Sequence, residues 1–267
     1  MTISFDYTGK SVIVFGGTSG INLGIAESFA KAGARVAVCS RNPDKVNAAV
    51  DLLKSHGSDS CGYSLDVRNI EDVQNAFKDF ASKVGEIDIV ISGAAGNFPA
   101  PALGMSANGF KSVVDIDLLG TFHVMQSCFQ YVKKPGASVI NISAPQAFIP
   151  MMMQSHVCAA KAGVDMLTKT LAQEWGGMGV RINSISPGPI DKTEGMDRLA
   201  PTEAMRKATV QSVPLERMGE KDDIANAALF LSSDAASYIS GIVLPVDGGW
   251  ATAGAGAHMI GAMMKNM

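Results

Sequence analysis

Residues 11–41 constrain the fold more than any other stretch, because strand, glycine turn, helix and strand follow one another within about 30 residues. The run at 12–15 is short, apolar and rich in β-branched residues, which predicts a buried strand. Apolar residues then recur with the spacing of one helix face, at Ile21, Ile25, Phe29 and Ala32. Gly33 ends this helix and residues 35–40 form a second apolar strand, so the stretch predicts a βαβ unit with a right-handed crossover.

The glycine turn between the first strand and the helix is typical of a dinucleotide-binding site. Glycines let the backbone approach a pyrophosphate closely, and the start of the helix offers free N–H groups and the positive end of its dipole. The pattern departs from G-x-G-x-x-G, because three residues separate Gly16 from Gly20 and Asn22 stands where a third glycine is often found. A tight turn without a ligand is the alternative, and the position between strand and helix favours the cofactor. The predicted contacts are Gly16, Thr18, Ser19, Gly20, Ile21 and Asn22.

The end of the second strand predicts which nicotinamide cofactor is used. An acidic residue there would accept a hydrogen bond from the ribose 2′-hydroxyl of NAD. Ser40 and Arg41 stand there instead, and a hydroxyl donor beside a guanidinium suits a 2′-phosphate. The alternative is an ordinary surface arginine. We therefore predict NADPH as the cofactor, bound in part by Ser40 and Arg41.

Composition and charge exclude several classes of protein. The chain has 267 residues, 47% of them hydrophobic, which suits one α/β domain with a large core. Its formal net charge is −3 and it has no basic run, so nucleic acid is not an expected partner. No apolar segment is long enough to span a bilayer and the N-terminus lacks an apolar signal segment, so neither a membrane span nor export is expected.

The cysteines and the C-terminus bear on the compartment. The four cysteines are scattered without a C-x-x-C pair, at Cys39, Cys61, Cys128 and Cys158. They are expected to be buried thiols of a reducing compartment rather than disulfides or metal ligands, and we predict no metal site. The last three residues do not form a peroxisomal address. The expected location is the cytoplasm.

Strands and helices alternate along the rest of the chain, which predicts a single α/β domain built on one doubly wound parallel sheet. Beyond the first two, strands are expected at 62–67, 87–91, 138–142, 180–185 and 241–246. Helices are expected at 44–56, 70–83, 106–131, 155–175 and 222–232. The domain is predicted to cover 1–250, including a lid-like insertion with short helices at 191–221, and 251–267 is a tail rich in Gly, Ala and Met.

Two charged residues on predicted helices are candidates for chemistry. Asp117 falls on the apolar face of the helix at 106–131, and a buried carboxylate needs a partner or a raised pKa. The alternative is that it bonds a neighbouring backbone group, and position alone does not separate the two. Lys161 lies at the edge of the apolar face of the next helix, among small residues that would let it reach a ligand. Spacing alone favours an exposed lysine paired with Asp165.

Motifs in order along nearly the whole chain resemble those of the short-chain dehydrogenase/reductase family. They are the strand–turn–helix start, Asp66-Val67, the small residues that end the fourth strand, Asn141-Ile142-Ser143, Lys161-Ala162-Gly163, Arg181-Ile182-Asn183, Pro187-Gly188-Pro189-Ile190 and Val246-Asp247-Gly248-Gly249. The resemblance implies a Rossmann-type fold, a nicotinamide cofactor and a homo-oligomer, with a tetramer favoured. By position it adds to the cofactor contacts Asp66, Val67, Ala94, Lys161, Pro187, Gly188 and Ile190.

The chain departs from the family at the catalytic positions. The family's tyrosine position, four residues before Lys161, holds Val157, and its serine position holds Ala144. Asp117 stands where the family usually has asparagine. With the segment 94–98 and His156, these departures resemble the 2,4-dienoyl-CoA reductases, most closely the peroxisomal type. That branch works with an Asp–Lys pair, which assigns catalysis to Asp117 and Lys161.

The resemblance therefore implies NADPH-dependent reduction of a 2,4-dienoyl-CoA to an enoyl-CoA, in fatty acid degradation. Two alternatives stay open: reduction of another conjugated or carbonyl substrate, and a non-catalytic NADP-binding protein, against which the Asp117–Lys161 pair argues. Substrate contacts are expected from Asn97, Phe98, Gln146 and His156. The apolar run 148–153 fits either an acyl chain or an ordinary core contact, and the lid cations fit a solvated face better than CoA phosphates.

Overall fold

Seven parallel strands form one sheet within residues 4–252, which are the residues that this computed structural model describes. The strands are β1 (Ser11–Phe15), β2 (Arg35–Ser40), β3 (Cys61–Ser64), β4 (Ile89–Ser92), β5 (Ser138–Ile142), β6 (Arg181–Pro187) and β7 (Val243–Val246). Their order across the sheet is β3-β2-β1-β4-β5-β6-β7. The chain starts in the middle, runs to one edge and then returns to build the other half, so the predicted doubly wound α/β fold is confirmed.

Helices cover both faces of this sheet. They are α1 (Gly20–Lys31), α2 (Pro43–Ser55), α3 (Ile70–Val84), α4 (Ala107–Val114), α5 (Gly120–Cys128), α6 (Ser155–Gly176), α7 (Glu194–Leu199), α8 (Glu203–Ser212) and α9 (Lys221–Ser232). Successive residues of β1 join different cores, because Val12 and Val14 pack on one side and Ile13 and Phe15 on the other. Burial on both faces explains why the strands read as continuous apolar runs.

Most predicted boundaries agree with the structure to within one or two residues, but β3 is shorter than the predicted strand at 62–67. Its ladder with β2 ends at Ser64, opposite Ser40, where β2 itself ends. The Leu65 N–H still bonds the Ser40 carbonyl at 2.9 Å, and no partner strand remains beyond it. Asp66 and Val67 therefore lie in a loop at the carboxyl end of the sheet rather than in a strand.

The single helix predicted at 106–131 is wrong, because a π turn at Asp115–Leu119 separates α4 from α5 and α5 ends at Cys128. The Gly120 N–H bonds the Asp115 carbonyl, five residues back, instead of the carbonyl four residues back. The two parts of the helix are not in one continuous register, so its apolar face cannot be extrapolated across the turn.

The insertion at 191–221 carries α7 and α8, as predicted. A short 3₁₀ turn at Trp250–Thr252 ends the described chain, and the rest of the predicted tail, 253–267, lies outside the described residues. Within 4–252, no helix combines the length and the apolar character needed to cross a bilayer.

Candidate active site

A cleft of about 1080 Å³ opens along the carboxyl ends of the central strands. It lies where β1 separates β2 from β4, which is where the two halves of a doubly wound sheet diverge and where such sheets bind ligands. Every cofactor residue predicted from the sequence lines it: Gly16, Thr18, Ser19, Gly20, Ile21, Asn22, Ser40, Arg41, Asp66, Val67, Ala94, Lys161, Pro187, Gly188 and Ile190. The fold thus brings together residues that are far apart in the sequence, and their role in binding stays a prediction.

The glycine turn fits a pyrophosphate. Gly16 and Gly20 have positive φ angles, +75° and +55°. A Cβ on Gly16 would lie 2.9 Å from the Ala94 nitrogen, whereas one on Gly20 would meet no atom within 4 Å. The turn is therefore packed against the β4 loop on one side and open to the cleft on the other, where α1 begins with free N–H groups.

Asn22 ties this turn to the loop after β4. Its Nδ2 donates a hydrogen bond of 2.7 Å to the Gly93 carbonyl, and a Cβ on Gly93 would lie 2.4 Å from the same amide. The side chain that replaces the third glycine therefore acts as a crosslink between two walls of the cleft.

The far end of the cleft carries the residues predicted to select NADPH. The Ser64 hydroxyl donates to the Arg41 carbonyl at 3.1 Å, which fixes the backbone there. Asp66 is engaged by Arg68 through Nε and Nη2, and this guanidinium lowers the pKa of the Asp66 carboxyl. Within residues 4–252, Arg41 forms no ion pair, so its guanidinium is not committed to a protein carboxylate.

Asp117 and Lys161 meet at the other end of the cleft. Asp117 is 1% exposed and Lys161 is 5% exposed, and 3.4 Å separates Oδ2 of Asp117 from Nζ of Lys161. Oδ1 of Asp117 accepts the Gly96 N–H at 2.7 Å, and Nζ of Lys161 donates to the Ile142 carbonyl at 3.0 Å. The exposed Lys161–Asp165 pair that spacing favoured is therefore wrong, because Lys161 turns inward to Asp117.

The π turn explains how the Asp117 carboxylate comes to lie beside the lysine. The Thr121 hydroxyl donates to the Asp117 carbonyl at 2.7 Å and satisfies an acceptor within the irregular turn. A Cβ on Gly163 would lie 2.8 Å from Cδ2 of Leu118, so a larger residue at 163 would force the Leu118 side chain to move. Close contact of α6 with the π turn at Gly163 thus brings Asp117 beside Lys161. Regular α-helical geometry does not predict this arrangement.

No tyrosine among the described residues lines the cleft. The position of the family tyrosine holds the buried Val157, which lines the cleft together with Ala144. Tyr7 donates to the Leu229 carbonyl at 2.5 Å, and Tyr63 donates to Asp79 at 2.7 Å. Burial raises the pKa of both phenols, so neither is a ready acid. Of the other two, Tyr131 packs on Phe77 and Tyr238 is exposed.

The four predicted substrate residues divide into two pairs. Asn97 and Gln146 line the cleft, and Gln146 is oriented by a 2.8 Å hydrogen bond from its Nε2 to Oε1 of Gln154. Phe98 and His156 do not line it; their rings pack together with centroids 4.7 Å apart. His156 is fully buried, and neither ring nitrogen has a hydrogen-bond partner within residues 4–252. All four roles stay predictions, and the second pair does not line the cleft.

The insertion at 191–221 closes one side of the cleft. Glu194, Met196, Leu199 and Trp250 line it, and Glu194 pairs with Lys45 of α2 at 3.1 Å. Arg206 is held by Asp191 at 2.9 Å and also contacts Asp197, so this cation is already neutralised.

The sequence analysis did not predict that the Gly96 N–H bonds Asp117, because a backbone donor does not depend on residue type.

Known proteins resemble this chain over most of its length. A family model described as enoyl-(acyl carrier protein) reductase matches residues 16–251. The chain is 42% identical over 251 residues to an Arabidopsis thaliana protein named peroxisomal 2,4-dienoyl-CoA reductase, (3E)-enoyl-CoA-producing, covering 90% of this chain and 84% of that protein. It is 37% identical over 243 residues to a Bacillus subtilis protein named probable 2,4-dienoyl-CoA reductase, (2E)-enoyl-CoA-producing, covering 90% and 96%. A crystal structure of a short chain dehydrogenase from Bacillus anthracis matches 91% of this chain and 96% of its own with a TM-score of 0.82 and 40% identity.

Proposed function

The chain belongs to the short-chain dehydrogenase/reductase family, and from this premise we propose that it is an NADPH-dependent 2,4-dienoyl-CoA reductase of fatty acid degradation. One observation carries the proposal: the cleft holds a buried Asp117–Lys161 pair, and the position of the family tyrosine holds Val157. Reduction of an isolated carbonyl needs an acid beside the developing alkoxide. Reduction of a conjugated thioester spreads the charge to a distant oxygen, so the missing tyrosine favours this substrate class.

Different residues of the cleft are proposed to bind the cofactor and to stabilise the reacting group. The glycine turn and the start of α1 suit the pyrophosphate, Ser40 and Arg41 suit a 2′-phosphate, and Lys161 is proposed to hold ribose hydroxyls. When bound, the cofactor supplies the hydride that adds to C5 of the dienoyl group. The Lys161 ammonium favours the negative charge that develops on the conjugated thioester. Oδ2 of Asp117 has no hydrogen-bond partner within residues 4–252 and faces only this ammonium at 3.4 Å, so it can orient a water molecule there.

The position of the added proton decides the product. Protonation of the dienolate at C2 leaves the double bond at C3, and protonation at C4 leaves it at C2. The Arabidopsis relative is named a (3E)-enoyl-CoA producer and the Bacillus subtilis relative a (2E)-enoyl-CoA producer. We propose the (3E) product, because the Arabidopsis protein is the more similar of the two, and NMR of the product from 2,4-hexadienoyl-CoA distinguishes the two isomers.

A substrate screen tests the proposed function. Purified protein is mixed with NADPH or NADH and with a 2,4-dienoyl-CoA, a 2-enoyl-CoA or a simple ketone, and the absorbance of the reduced cofactor is followed. We expect rapid oxidation only with NADPH and the dienoyl-CoA. Activity on ketones alone would assign another reductase, and NADPH binding without turnover on any substrate would indicate a non-catalytic protein.

Variants at 157 and at the tyrosines test whether the lost acid has been replaced elsewhere. Val157→Ala is expected to keep most of the turnover, whereas Val157→Phe should raise KM by filling the cleft that Val157 lines. Tyr7→Phe, Tyr63→Phe, Tyr131→Phe and Tyr238→Phe should each remain active, because none of these phenols lines the cleft. A tyrosine variant that folds, binds NADPH and lacks turnover would show that this residue is the acid.

We also propose a homo-oligomer, with a tetramer favoured, and a cytoplasmic location. Several apolar side chains on the helices around the π turn and on α6 are exposed, namely Phe110, Leu119, Phe122 and Met166, and a second copy of the chain would cover them. All four cysteines are free, which suits a reducing compartment. Burial raises the pKa of the Cys128 thiol to about 12 and makes it unreactive. Light scattering measures the oligomeric state. Cell fractionation tests the cytoplasmic location against the peroxisome named for the Arabidopsis relative.

A further inference from the structure

Behind the Asp117–Lys161 pair, α6 packs a row of polar side chains against β5 and its neighbour β6. All are more than nine-tenths buried: Asn141 in β5, Ser143 directly after it, Ser184 and Ser186 in β6, and Asp165 and Thr168 on the helix. Asp165 lies one helical turn after Lys161 on the same buried side of α6. Asp165 has no part in the proposed hydride transfer. Burying a carboxyl group is costly, so its presence here calls for a structural or a functional explanation.

The hydrogen bonds in this row determine what Asp165 meets. The Thr168 hydroxyl donates to the Val164 carbonyl at 2.9 Å, which uses its single proton because a carbonyl only accepts. In the 2.8 Å contact between the Thr168 and Ser184 hydroxyls, Ser184 is therefore the donor. Ser184 then presents only lone pairs to the Asp165 carboxyl that it faces. A protonated carboxyl group donates to those lone pairs, whereas a carboxylate is repelled by them.

The surrounding charges separate the two buried acids. Burial raises the pKa of Asp165, although the Ser143 hydroxyl and then Lys161 and Lys169 on the same helix act in the opposite direction. The hydroxyls of Ser143, directly after β5, and of Ser184 in β6 face Asp165, and Asp117 of the π turn lies beyond Lys161. Asp117 has different neighbours, the Lys161 ammonium at 3.4 Å and the Gly96 N–H, which it accepts at 2.7 Å. Of the two buried acids, Asp165 is therefore the one that burial favours in its protonated form.

We propose that Asp165 holds the proton that the missing tyrosine would otherwise supply and passes it to the cleft through the Ser143 hydroxyl. Ser143 lines the cleft, whereas Asp165 does not. Within residues 4–252, neither the Ser143 hydroxyl nor Oδ1 of Asp165 has a hydrogen-bond partner of normal geometry, although Ser143 and the Asp165 carboxyl are neighbours. Rotation of the carboxyl group carries its proton from Ser184 to Ser143. Asp165 is thus a positioning residue that acts through Ser143, and the inference rests on the proposed reductase function.

Hydride addition leaves a dienolate, which must take up one proton to give the product. The electron pair of the dienolate forms a new C–H bond with a proton from the Ser143 hydroxyl or from a water bonded to it. Ser143 regains a proton from Asp165, whose O–H bond breaks. The resulting Asp165 carboxylate faces the Lys161 ammonium, which stabilises it until solvent protonates it again.

Asp165→Asn and Ser143→Ala test this route. Asparagine keeps the size of the side chain and an N–H donor for Ser184 but has no acid proton. We expect each variant to lower turnover by about 5- to 10-fold, less than the 100-fold or more of a group that transfers the proton directly, with an unchanged Kd for NADPH. The double variant should be no slower than either single one. Glu174→Gln, which removes an exposed carboxylate of the same helix, is the matched control and should behave as the wild type.

Two readouts separate this role from a merely structural one. Turnover of the wild type should fall as pH rises through the pKa of Asp165, and Asp165→Asn should lose that limb of the profile. Infrared difference spectra of the free protein should show the C=O band of a protonated carboxylic acid, absent in Asp165→Asn and retained in Ser143→Ala. A wild-type pH profile in Asp165→Asn, or no acid band in the wild type, would overturn the proposal. If dienoyl-CoA is not reduced at all, the reductase function fails, and the infrared band alone still decides whether Asp165 carries a proton.

Discussion

Asp117→Asn is expected to lower turnover by about 100-fold or more while leaving the fold and the Kd for NADPH nearly unchanged, because one buried charge is lost from the reacting end of the cleft. The asparagine oxygen still accepts the Gly96 N–H that bonds Asp117 at 2.7 Å. Its neutral amide then faces the Lys161 ammonium and cannot orient a water molecule as we propose for the carboxylate. Single-turnover hydride transfer, followed by NADPH absorbance, measures the loss.

Lys161→Met should damage turnover and NADPH affinity together, since this lysine is proposed to hold the ribose as well. It also leaves the Asp117 carboxylate, 1% exposed, without its counter-ion, and loss of one partner of a buried pair destabilises a protein by about 3–5 kcal/mol. The double variant Asp117→Asn/Lys161→Met should therefore unfold at a higher temperature than Lys161→Met. Its turnover should be scarcely lower than that of Lys161→Met, because residues that act as a unit lose activity non-additively.

Asp115→Asn is the matched control for this pair. Asp115 lies in the same π turn, pairs with Lys111 on the surface and does not line the cleft, so its amide variant should be fully active. If the losses at 117 and 161 multiply instead of overlapping, or if Asp117→Asn is as fast as the wild type, Asp117 is a structural carboxylate.

Arg41→Ala is expected to raise the Kd for NADPH by about 10- to 100-fold, because a charge-assisted hydrogen bond contributes about 1.5–3 kcal/mol. The Kd for NADH should hardly change, since NADH lacks the 2′-phosphate. Isothermal titration with both cofactors makes the comparison. The structure supports a large effect because, within residues 4–252, no carboxylate pairs with Arg41, whereas Arg68 is held by Asp66.

Arg35→Ala provides the control for Arg41. Arg35 begins the strand that ends at Ser40, pairs with Asp59 at 3.2 Å and does not line the cleft. Its loss should leave both dissociation constants unchanged. Equal weakening of NADPH and NADH by Arg41→Ala, or a wild type that prefers NADH, would contradict the assignment of NADPH.

The sheet and the glycine turn could be predicted from the sequence because their signals are local. A strand buried on both faces is a continuous apolar run, and a turn that needs positive φ requires glycine. The length of β3 could not be predicted, since it is set by where its neighbour β2 ends. The burial of Asp165 could not be predicted either, because its neighbours Ser143 and Ser184 are distant from it in the sequence.

The position of Asp117 shows how a correct prediction can rest on an incomplete picture. Helical periodicity placed this residue on a buried face, and it is buried. The helix on which that periodicity was counted is interrupted, and the irregular turn depends on contacts with Gly96 and Gly163, which are distant in the sequence. Tertiary contacts of this kind do not alter the hydrophobic pattern, so they cannot be predicted from that pattern alone.

The π turn also bears on how such a site arises and disappears in evolution. A turn closed by a bond to the fifth preceding residue contains one residue more than the α-helical turn it replaces. Removal of a single codon within 115–119 would restore a continuous helix in which α4 and α5 keep their present packed faces. Insertion of one codon does the reverse and pushes a side chain toward α6. Asp117 therefore lies at a point of the chain where one residue can be gained or lost while the packed faces of α4 and α5 stay in place.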